Sequence, residues 1–524
     1  MEQLILPVNE DYVDYLRDES RRSGTADTIS FPRSESELRQ VLARMYAAGV
    51  PLTVQGGRTG LAAGAVPQGG HIVNLSRMDQ VLALREEQGR FRVTVQPGLR
   101  LNELRRQLAL KRPEIARPDA ASQAALTALA EAPAQFFSPD PTETTAALGG
   151  MAACNSSGAR TYLYGPTRPH ILGLHLALAD GDLLRLRRGE VFAQGRRLRL
   201  TTEQGRLLDI TLPGYTMPRC KNASGYYVAD NMDAIDLIIG SDGTLGVISQ
   251  LTLSLLPEPR RICGLTCFLP DEDRALELVE ALRPAVRRAA SIEYFDQGVM
   301  ELLARRQQED SSLTDIPPLP GGRRNAVYVE LHCDDKEQVL ADLSLICGLL
   351  EAHGGDSRLT WAGWNPHDLQ RLHQFRHTVP ESANLVIDRR KRDYPGLSKC
   401  SADMAVPDER LRDVVALYRQ GLAEEELESA IWGHIGNNHL HVAALPRNME
   451  EYERAQALIR SWAKVVSGWG GAVSAEHGIG KSKRALLEIM YGPEQVAAMA
   501  AVKKVFDPKG LLSPGNLFPP ELLG

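Results

Sequence analysis

The sequence predicts an α+β fold with more than one domain. The chain has 524 residues, and a single hydrophobic core rarely grows beyond about 300 residues. Strand-like runs and helices are mixed up to about residue 257, whereas strand and helix patterns alternate regularly from residue 260. Beyond residue 480 the pattern is helical. We therefore expect a first domain at 1–258, a second at 259–485 and a helical segment at 486–524 that packs on the first domain.

The first domain opens with a predicted helix over residues 34–49. Ser34 and Glu37 have the spacing of a capping box, and Gly49 is a typical helix end. Short apolar runs bounded by turn residues follow it and predict strands. These strands are 51–55, 71–75, 91–97, 171–180, 208–212 and 247–255.

The second domain is predicted to contain an antiparallel sheet with helices on one face. Val327, Val329 and Leu331 alternate with more polar residues, as in a strand with one buried face. A polar stretch rich in proline and glycine, 307–324, is predicted to be a surface loop. The strands are predicted at 262–268, 291–295 and 326–333, and the helices at 271–285, 297–306 and 335–352.

Composition excludes several classes of function. The net charge is −6, so no basic surface indicates nucleic acid as a partner. No apolar stretch is long enough to span a bilayer, and acidic residues follow the short apolar run at the N-terminus. The seven cysteines are scattered without a C-x-x-C pair, which argues against an iron–sulfur cluster. We expect a cytoplasmic protein with reduced thiols, and membrane contact that is at most peripheral.

Three glycine-rich segments, 55–67, 138–158 and 240–248, predict a binding site for a phosphate-containing ligand. Glycine lets backbone N–H groups approach a phosphate closely. Any one of these segments alone is more simply a tight turn, but three in one domain indicate a long ligand such as a dinucleotide. None is a G-x-G-x-x-G that opens a helix, so a Rossmann site is not indicated.

A cluster of histidines in the second domain predicts a metal site. His439 and His441 lie two residues apart and share one face of a strand, and His434 can reach them across the intervening turn. Glu476 and His477 form a second group further along the chain. Imidazole and carboxylate ligands suit Zn²⁺ or another first-row divalent ion. A zinc hydrolase is the alternative interpretation, although it leaves the glycine-rich segments unexplained.

The three loops together resemble the FAD-binding domain of the vanillyl-alcohol oxidase (PCMH-type) family. The resemblance extends over roughly residues 30–517. It implies a two-part FAD-binding domain and a non-covalent flavin, because the first loop contains neither histidine nor cysteine. The implied FAD-binding residues are Gly56, Gly57, Arg58, Thr59, Gly60, Leu61, Pro139, Asp140, Thr142, Thr145, Gly149, Gly150, Asn155, Ser157, Gly158, Asp242, Gly243, Gly246 and Ile248.

The pattern G-H-x-G-x-x-x-L-H, followed later by E-H-G-I-G, resembles the ferredoxin-like cap of the D-2-hydroxy acid dehydrogenases. The resemblance implies a metal on His434, His441 and Glu476, with His477 as the catalytic base. Arg376 matches the arginine that binds the substrate carboxylate. The family's substrate lysine falls at Ser401, so Lys399 is the nearby candidate, and His439 is an additional metal or substrate ligand.

The resemblance implies oxidation of a small D-2-hydroxy acid, such as D-lactate or glycolate, by hydride transfer to flavin N5. The product would be a 2-keto acid. Electrons would pass to a cytochrome, a quinone or an electron-transferring flavoprotein, while direct reaction with oxygen stays open. A non-redox flavoprotein like alkylglycerone-phosphate synthase and an accessory FAD-binding subunit are the alternatives. The oligomeric state, a homodimer included, is left open.

Overall fold

The computed structural model describes residues 4–310, 316–322 and 324–523 and has the predicted α+β fold. Strands in the first domain are β1 (Leu6–Pro7), β2 (Thr28–Ser30), β3 (Leu52–Gln55), β4 (His71–Asn74), β5 (Val81–Glu87), β6 (Arg90–Val95), β7 (Gln135–Phe136), β8 (Ile171–Ala177), β9 (Leu183–Arg187), β10 (Arg197–Thr201), β11 (Leu207–Thr211), β12 (Val247–Ser254) and β13 (Leu256–Pro257). Strands in the second are β14 (Arg261–Leu269), β15 (Ala289–Phe295), β16 (Asn325–Cys333), β17 (Trp361–Gly363), β18 (Cys400–Ala405), β19 (Ser429–Gly433) and β20 (His439–Ala444).

The helices are distributed over both domains and the C-terminal segment. They are α1 (Glu35–Ala48), α2 (Leu101–Ala109), α3 (Ala120–Glu131), α4 (Leu148–Cys154), α5 (Thr161–Tyr164), α6 (Ile235–Ile238), α7 (Glu272–Ala285), α8 (Gln297–Glu309), α9 (Lys336–Ala352), α10 (Pro366–Arg390), α11 (Leu411–Glu424), α12 (Met449–Gly468), α13 (Arg484–Tyr491) and α14 (Pro493–Phe506). Within the described part of the chain, no helix is both long and apolar enough to cross a bilayer.

The first domain has two larger sheets and the two-stranded sheets β10-β11 and β13-β7. The first has the strand order β1-β2-β4-β3, with β2 and β3 parallel to β4, and the second is antiparallel with the order β5-β6-β12-β8-β9. Helix α1 begins at the predicted cap, where Ser34 Oγ accepts a hydrogen bond from Glu37 N at 3.2 Å. It ends at Gly49, whose φ of +68° is left-handed. The predicted boundary at residue 258 falls between β13 and β14.

The second domain contains a seven-stranded sheet with the order β17-β14-β16-β15-β19-β20-β18. All its pairings are antiparallel, as predicted. Helices α7, α9, α11 and α12 pack on one face, and α8 and α10 pack on the other. The prediction of helices on one face only is therefore wrong.

The reason lies in the polar residues of β16. Tyr328, Glu330 and His332 point away from the Val327 face, yet all are buried. Glu330 accepts a hydrogen bond from Arg160 Nε of the first domain at 2.7 Å. The alternation thus marks a buried polar face at the domain boundary and not a solvated one.

Helix α8 continues to Glu309, and residues 311–315 and 323 of the predicted loop lie outside the described residues.

The C-terminal segment contacts the first domain through the buried ammonium group of Lys503. Lys503 Nζ on α14 donates to Asp507 Oδ2 at 2.8 Å, to Leu512 O at 2.8 Å and to Thr244 O at 2.9 Å. Thr244 belongs to the third glycine-rich segment. Leu512 also forms a β-bridge with Leu52. These contacts hold the end of the chain against the glycine loops. The predicted boundary at 485–486 falls inside α13.

We predict that Asp507→Ala lowers the free energy of unfolding by about 3–5 kcal/mol, because it leaves the Lys503 ammonium buried without its partner. The side chains of this pair are 1% and 0% exposed. The double variant Lys503→Met/Asp507→Leu should lose less, since it removes both charges. Urea denaturation monitored by tryptophan fluorescence measures the difference. Asp209→Ala, which breaks an exposed pair with Arg197, is the control. Equal losses for the two single variants would contradict the prediction.

Candidate active site

The three glycine-rich segments meet around one cavity of about 410 Å³ in the first domain. Its lining includes most of the residues that the sequence motifs pointed to. These are Gly56, Gly57, Arg58, Thr59, Gly60, Leu61, Thr142, Gly149, Gly150, Ser157, Asp242, Gly243, Gly246 and Ile248. Residues far apart in the sequence are thus brought together by the fold.

Glycines shape this cavity in two ways. At Gly57 a Cβ atom would lie 2.9 Å from Thr145 O, so only glycine allows the first two segments to touch. At Gly60 and Gly150, in contrast, a Cβ atom would meet no protein atom within 4 Å. Both line the cavity. Their missing side chains therefore leave room for a ligand close to the backbone, which fits a bound dinucleotide.

Five of the predicted cofactor residues lie outside the cavity lining: Pro139, Asp140, Thr145, Asn155 and Gly158. Several of them shape the second glycine-rich segment instead. Arg105 Nη2 donates to Pro139 O and to Asp140 Oδ1, both at 3.0 Å. A Cβ atom at Gly158 would lie 1.7 Å from Asp140 O, so the turn closes only with glycine there. These contacts hold the segment in the form that lines the cavity.

The cavity reaches the second domain at Glu476 and His477, which also line it. Ser157 Oγ donates to Glu476 Oε2 at 3.4 Å, and Cys154 Sγ donates to Glu476 O at 3.4 Å. Burial raises the pKa of Cys154 to about 12, so its thiol stays protonated. The glycine loops and the histidine motif therefore adjoin each other across the domain boundary.

The histidines converge on the Glu476 carboxylate. Strand β20 presents His439 and His441 on one face, with ring centroids 4.5 Å apart. His434 precedes a tight turn that ends at Asn438 with φ +51°, and its ring lies 5.3 Å from the ring of His439. His441 Nε2 lies 3.1 Å from Glu476 Oε1, and His434 Nε2 lies 3.4 Å from Oε2.

Two further carboxylates hold the histidines in place. Glu293 on β15 accepts a hydrogen bond from His434 Nδ1 at 2.8 Å. Asp403 on β18 accepts from His439 Nε2 at 2.8 Å, and its Oδ2 lies 3.2 Å from His477 Nδ1. Burial raises the pKa of Asp403, but its electrostatic interactions with His477 and Lys483 and the hydrogen bond from His439 outweigh burial and hold the pKa well below its usual range. Asp403 is therefore an ionised hydrogen-bond acceptor.

Sequence reasoning missed Lys221, the cation next to the cluster. Its Nζ lies 2.7 Å from Glu476 Oε2, and its side chain is 3% exposed. Burial raises the pKa of Glu476, but Lys221, His434 and His439 outweigh burial and hold the pKa well below its usual range. Lys221 sits in an irregular segment between β11 and α6, where no local pattern marks it. Glu293 and Asp403 were also missed, although an acidic residue within an otherwise apolar strand is a usable signal.

Arg376, on helix α10, joins the cluster through Glu293. Its Nη2 lies 3.6 Å from Glu293 Oε2, and its guanidinium lies 5.2 Å from the centre of the Tyr328 ring. Its side chain makes no hydrogen bond with the described residues, although it is only 17% exposed. Its planar set of donors is therefore free to bind a carboxylate.

No hydrogen bond or ion pair among the described residues joins Lys399 to the cluster. It lies four residues before Asp403, which corresponds to about 13 Å along an extended chain. Burial, assisted by the charge of Arg21, lowers the pKa of Lys399 to about 8. The lysine that contacts the cluster is Lys221 instead.

The cluster fits a divalent metal ion. Ligand atoms of His434, His439, His441 and Glu476 all lie within 4.8 Å of one another. His434 Nε2 and His439 Nδ1 are buried without a hydrogen-bond partner. Buried polar atoms are rarely left unpaired, and two of them facing one carboxylate match the donor set of a Zn²⁺-type site.

Family comparisons agree with this geometry. A family model for the FAD binding domain matches residues 26–128 and 120–187. A second model, for the C-terminal domain of FAD linked oxidases, matches residues 258–517. The chain belongs to the FAD-linked oxidases. It is therefore an FAD-linked oxidoreductase with an FAD binding domain.

Related proteins align over nearly the whole chain. The probable mitochondrial D-lactate dehydrogenase of Danio rerio is 27% identical over 508 residues, which cover 96% of this chain and 86% of that protein. Glycolate oxidase subunit GlcD of Bacillus subtilis is 26% identical and covers 94% and 89%. D-2-hydroxyglutarate dehydrogenase of Stutzerimonas stutzeri is 24% identical and covers 94% and 90%. All three names describe enzymes that act on 2-hydroxy acids.

Two solved structures of alkyldihydroxyacetonephosphate synthase share the fold. Their TM-scores are 0.63 and 0.64, over 98% of this chain and 82% and 83% of those chains. The sequence identities are 14% and 13%, so the likeness shows the fold alone. The arrangement of a glycine-loop domain and a seven-stranded cap is thus shared by proteins whose names describe different reactions.

We predict that Gly150→Leu lowers the FAD content of the purified flavoprotein at least about tenfold, because the new side chain enters the cavity. The ratio of flavin absorbance to protein absorbance after gel filtration measures the loss. Gly348→Leu is the matched control, since Gly348 also lies in a helix with no atom within 4 Å of a Cβ position but does not line the cavity. Full FAD content in Gly150→Leu would show that FAD lies elsewhere.

Proposed function

We propose that the chain oxidises a small D-2-hydroxy acid, such as D-lactate or glycolate, to the 2-keto acid and passes the electrons to a separate acceptor. One observation carries the proposal: the cavity lined by the three glycine loops ends at Glu476 and His477. The substrate would therefore lie where the cavity meets the histidine cluster. Relatives named D-lactate dehydrogenase and glycolate oxidase subunit support this class of reaction.

Arg376 is the proposed carboxylate-binding residue. A bidentate pair with a carboxylate needs two free N–H donors, and the guanidinium has them because its nearest acidic group, Glu293, is 3.6 Å away. Ser401 and Ala443 face each other across β18 and β20, and neither carries a charge. With Lys399 also away from the cluster, these residues support a monocarboxylate over a dicarboxylate.

His477 is the proposed base for the hydroxyl proton. Its Nδ1 lies 3.2 Å from Asp403 Oδ2, and its backbone N–H donates to the same oxygen at 3.0 Å. The Asp403 carboxylate favours the tautomer with its proton on Nδ1, which leaves the lone pair on Nε2 for the substrate proton. Burial lowers the pKa of His477 to about 4 against the opposing charge of Asp403, so the ring is neutral at pH 7.

Two cofactors would complete the chemistry. FAD bound in the cavity supplies the acceptor for the hydride that leaves the substrate carbon. A divalent ion, Zn²⁺ in the first instance, held by His434, His441 and Glu476 would supply Lewis acidity that lowers the pKa of the substrate hydroxyl. The chain's own groups then bind the carboxylate at Arg376 and take the proton at His477. A cytochrome, a quinone or an electron-transferring flavoprotein is the proposed electron acceptor.

We predict that one D-2-hydroxy acid bleaches the visible flavin absorbance when mixed anaerobically with the purified protein. The bleaching should be lost after treatment with a chelator and restored by Zn²⁺ or Mn²⁺. Stopped-flow spectroscopy against a panel of D and L acids measures the rate and identifies the substrate. A yellow protein that no acid reduces would overturn the dehydrogenase proposal and favour the non-redox synthase.

We predict that Arg376→Met lowers kcat/KM for the acid about 10- to 100-fold, since a charge-assisted hydrogen bond is worth about 1.5–3 kcal/mol. For a substrate analogue that lacks the carboxylate, the same variant should match the wild type. Arg389→Met is the control, because Arg389 lies on the same helix but pairs with Glu309 at the surface. Equal losses for the acid and the analogue would contradict carboxylate binding by Arg376.

A further inference from the structure

His439 has an acidic partner, Asp403, on the side of its ring away from Glu476. Its Nε2 lies 2.8 Å from Asp403 Oδ1. Its Nδ1 is buried, has no hydrogen-bond partner and lies 4.0 Å from Glu476 Oε2. We propose that His439 is a fourth protein ligand of the metal, bound through Nδ1. This proposal rests on the proposed metal site at His434, His441 and Glu476.

The hydrogen bond to Asp403 decides which nitrogen of His439 is available. An ionised carboxylate can only accept, so the proton of the neutral ring is on Nε2. The lone pair is then on Nδ1, which faces Glu476. The buried acceptor Nδ1 of His439 faces a second acceptor, the Glu476 carboxylate, and this arrangement is destabilising unless a cation lies between the two. A metal ion in this position would remove that cost.

His434 has the same arrangement with the roles of its two ring nitrogens exchanged. Its Nδ1 donates to Glu293 at 2.8 Å, and its Nε2 is the other buried ring nitrogen of the cluster without a partner. It lies 3.4 Å from the same oxygen, Glu476 Oε2. Metal-binding histidines commonly donate their second N–H to a carboxylate, which fixes the ring orientation. Both His434 and His439 have this feature.

A second set of possible ligands, on the other side of the cluster, is less suitable. Asp403, His441, Glu476 and His477 also bring ligand atoms within 4.8 Å of one another. A carboxylate has about four lone-pair sites, however, and those of Asp403 are already used. It accepts from His439, from Lys483 and Ser474 at 2.8 Å, and from His477 N at 3.0 Å. The His434 side is therefore the better position for the metal.

The proposal gives three imidazole nitrogens and one carboxylate as protein ligands. Such a set favours Zn²⁺, Co²⁺ and other first-row ions over Mg²⁺ and Ca²⁺, which prefer oxygen. It also assigns Asp403 a double role, since one oxygen holds the ligand His439 and the other holds the proposed base His477. Ligand and base are then positioned by the same carboxylate.

The test is Zn²⁺ binding to chelator-treated full-length protein, measured by calorimetry and independent of turnover. His439→Asn should lower Zn²⁺ affinity by at least about 100-fold, beyond the 10- to 100-fold typical for an outer partner of a ligand. The visible spectrum of bound Co²⁺ should also change. His332→Asn is the matched control, because His332 is equally buried and contacts the Glu330 carboxylate at 3.0 Å but lies outside the cluster.

Wild-type affinity and an unchanged Co²⁺ spectrum in His439→Asn, with affinity lost in His434→Asn, would overturn the role of His439 and leave the metal site standing. A wild-type protein that binds no Zn²⁺ would overturn the metal site itself. If circular dichroism shows that His439→Asn does not fold, X-ray absorption of the zinc-loaded wild type replaces it. Three imidazole ligands would support the proposal, and two would overturn it.

Discussion

The Glu476 carboxylate is the contact on which the site depends. Lys221 and Ser157 approach it from the first domain, and His434 and His441 approach it from the second. Burying a charge is costly unless partners surround it, so the carboxylate stabilises the interface only when both domains supply their groups. The position of the histidine cluster relative to the glycine loops follows from this requirement. The same residue lines the cavity of the glycine loops and faces the proposed metal ligands.

The cap sheet presents its functional residues on the face that meets the first domain. Glu293, Glu330 and Asp403 lie on three different strands and are all buried. Each is paired with basic groups: Glu293 with His434, Glu330 with Arg160, and Asp403 with Lys483. Acidic residues in an apolar sheet are tolerated because these partners compensate their charge. The sheet thus combines one apolar core with one organised polar surface, and the site is built on the polar surface.

The proposed machinery is divided between the domains. The glycine loops of the first domain line the cavity proposed for FAD, while the second domain carries the proposed substrate groups Arg376 and His477 and the proposed metal ligands. The proposed reaction therefore takes place between the domains. The buried contact of Lys503 with Thr244 and Leu512 connects the end of the chain to one wall of that cavity. The C-terminal segment is consequently part of the support of the cofactor site.

The sequence by itself determined the elements whose cause is local. Helix α1 follows from the cap at Ser34 and the stop at Gly49, and the shared face of His439 and His441 follows from strand alternation. The glycine loops indicated a dinucleotide and the histidine motif a metal from local composition, whereas FAD was implied by the resemblance of the loops to a known family. Tertiary structure alone decided the partners of these groups, because contacts between distant segments leave no periodic signal. It brought Lys221 to Glu476 and buried the polar face of β16.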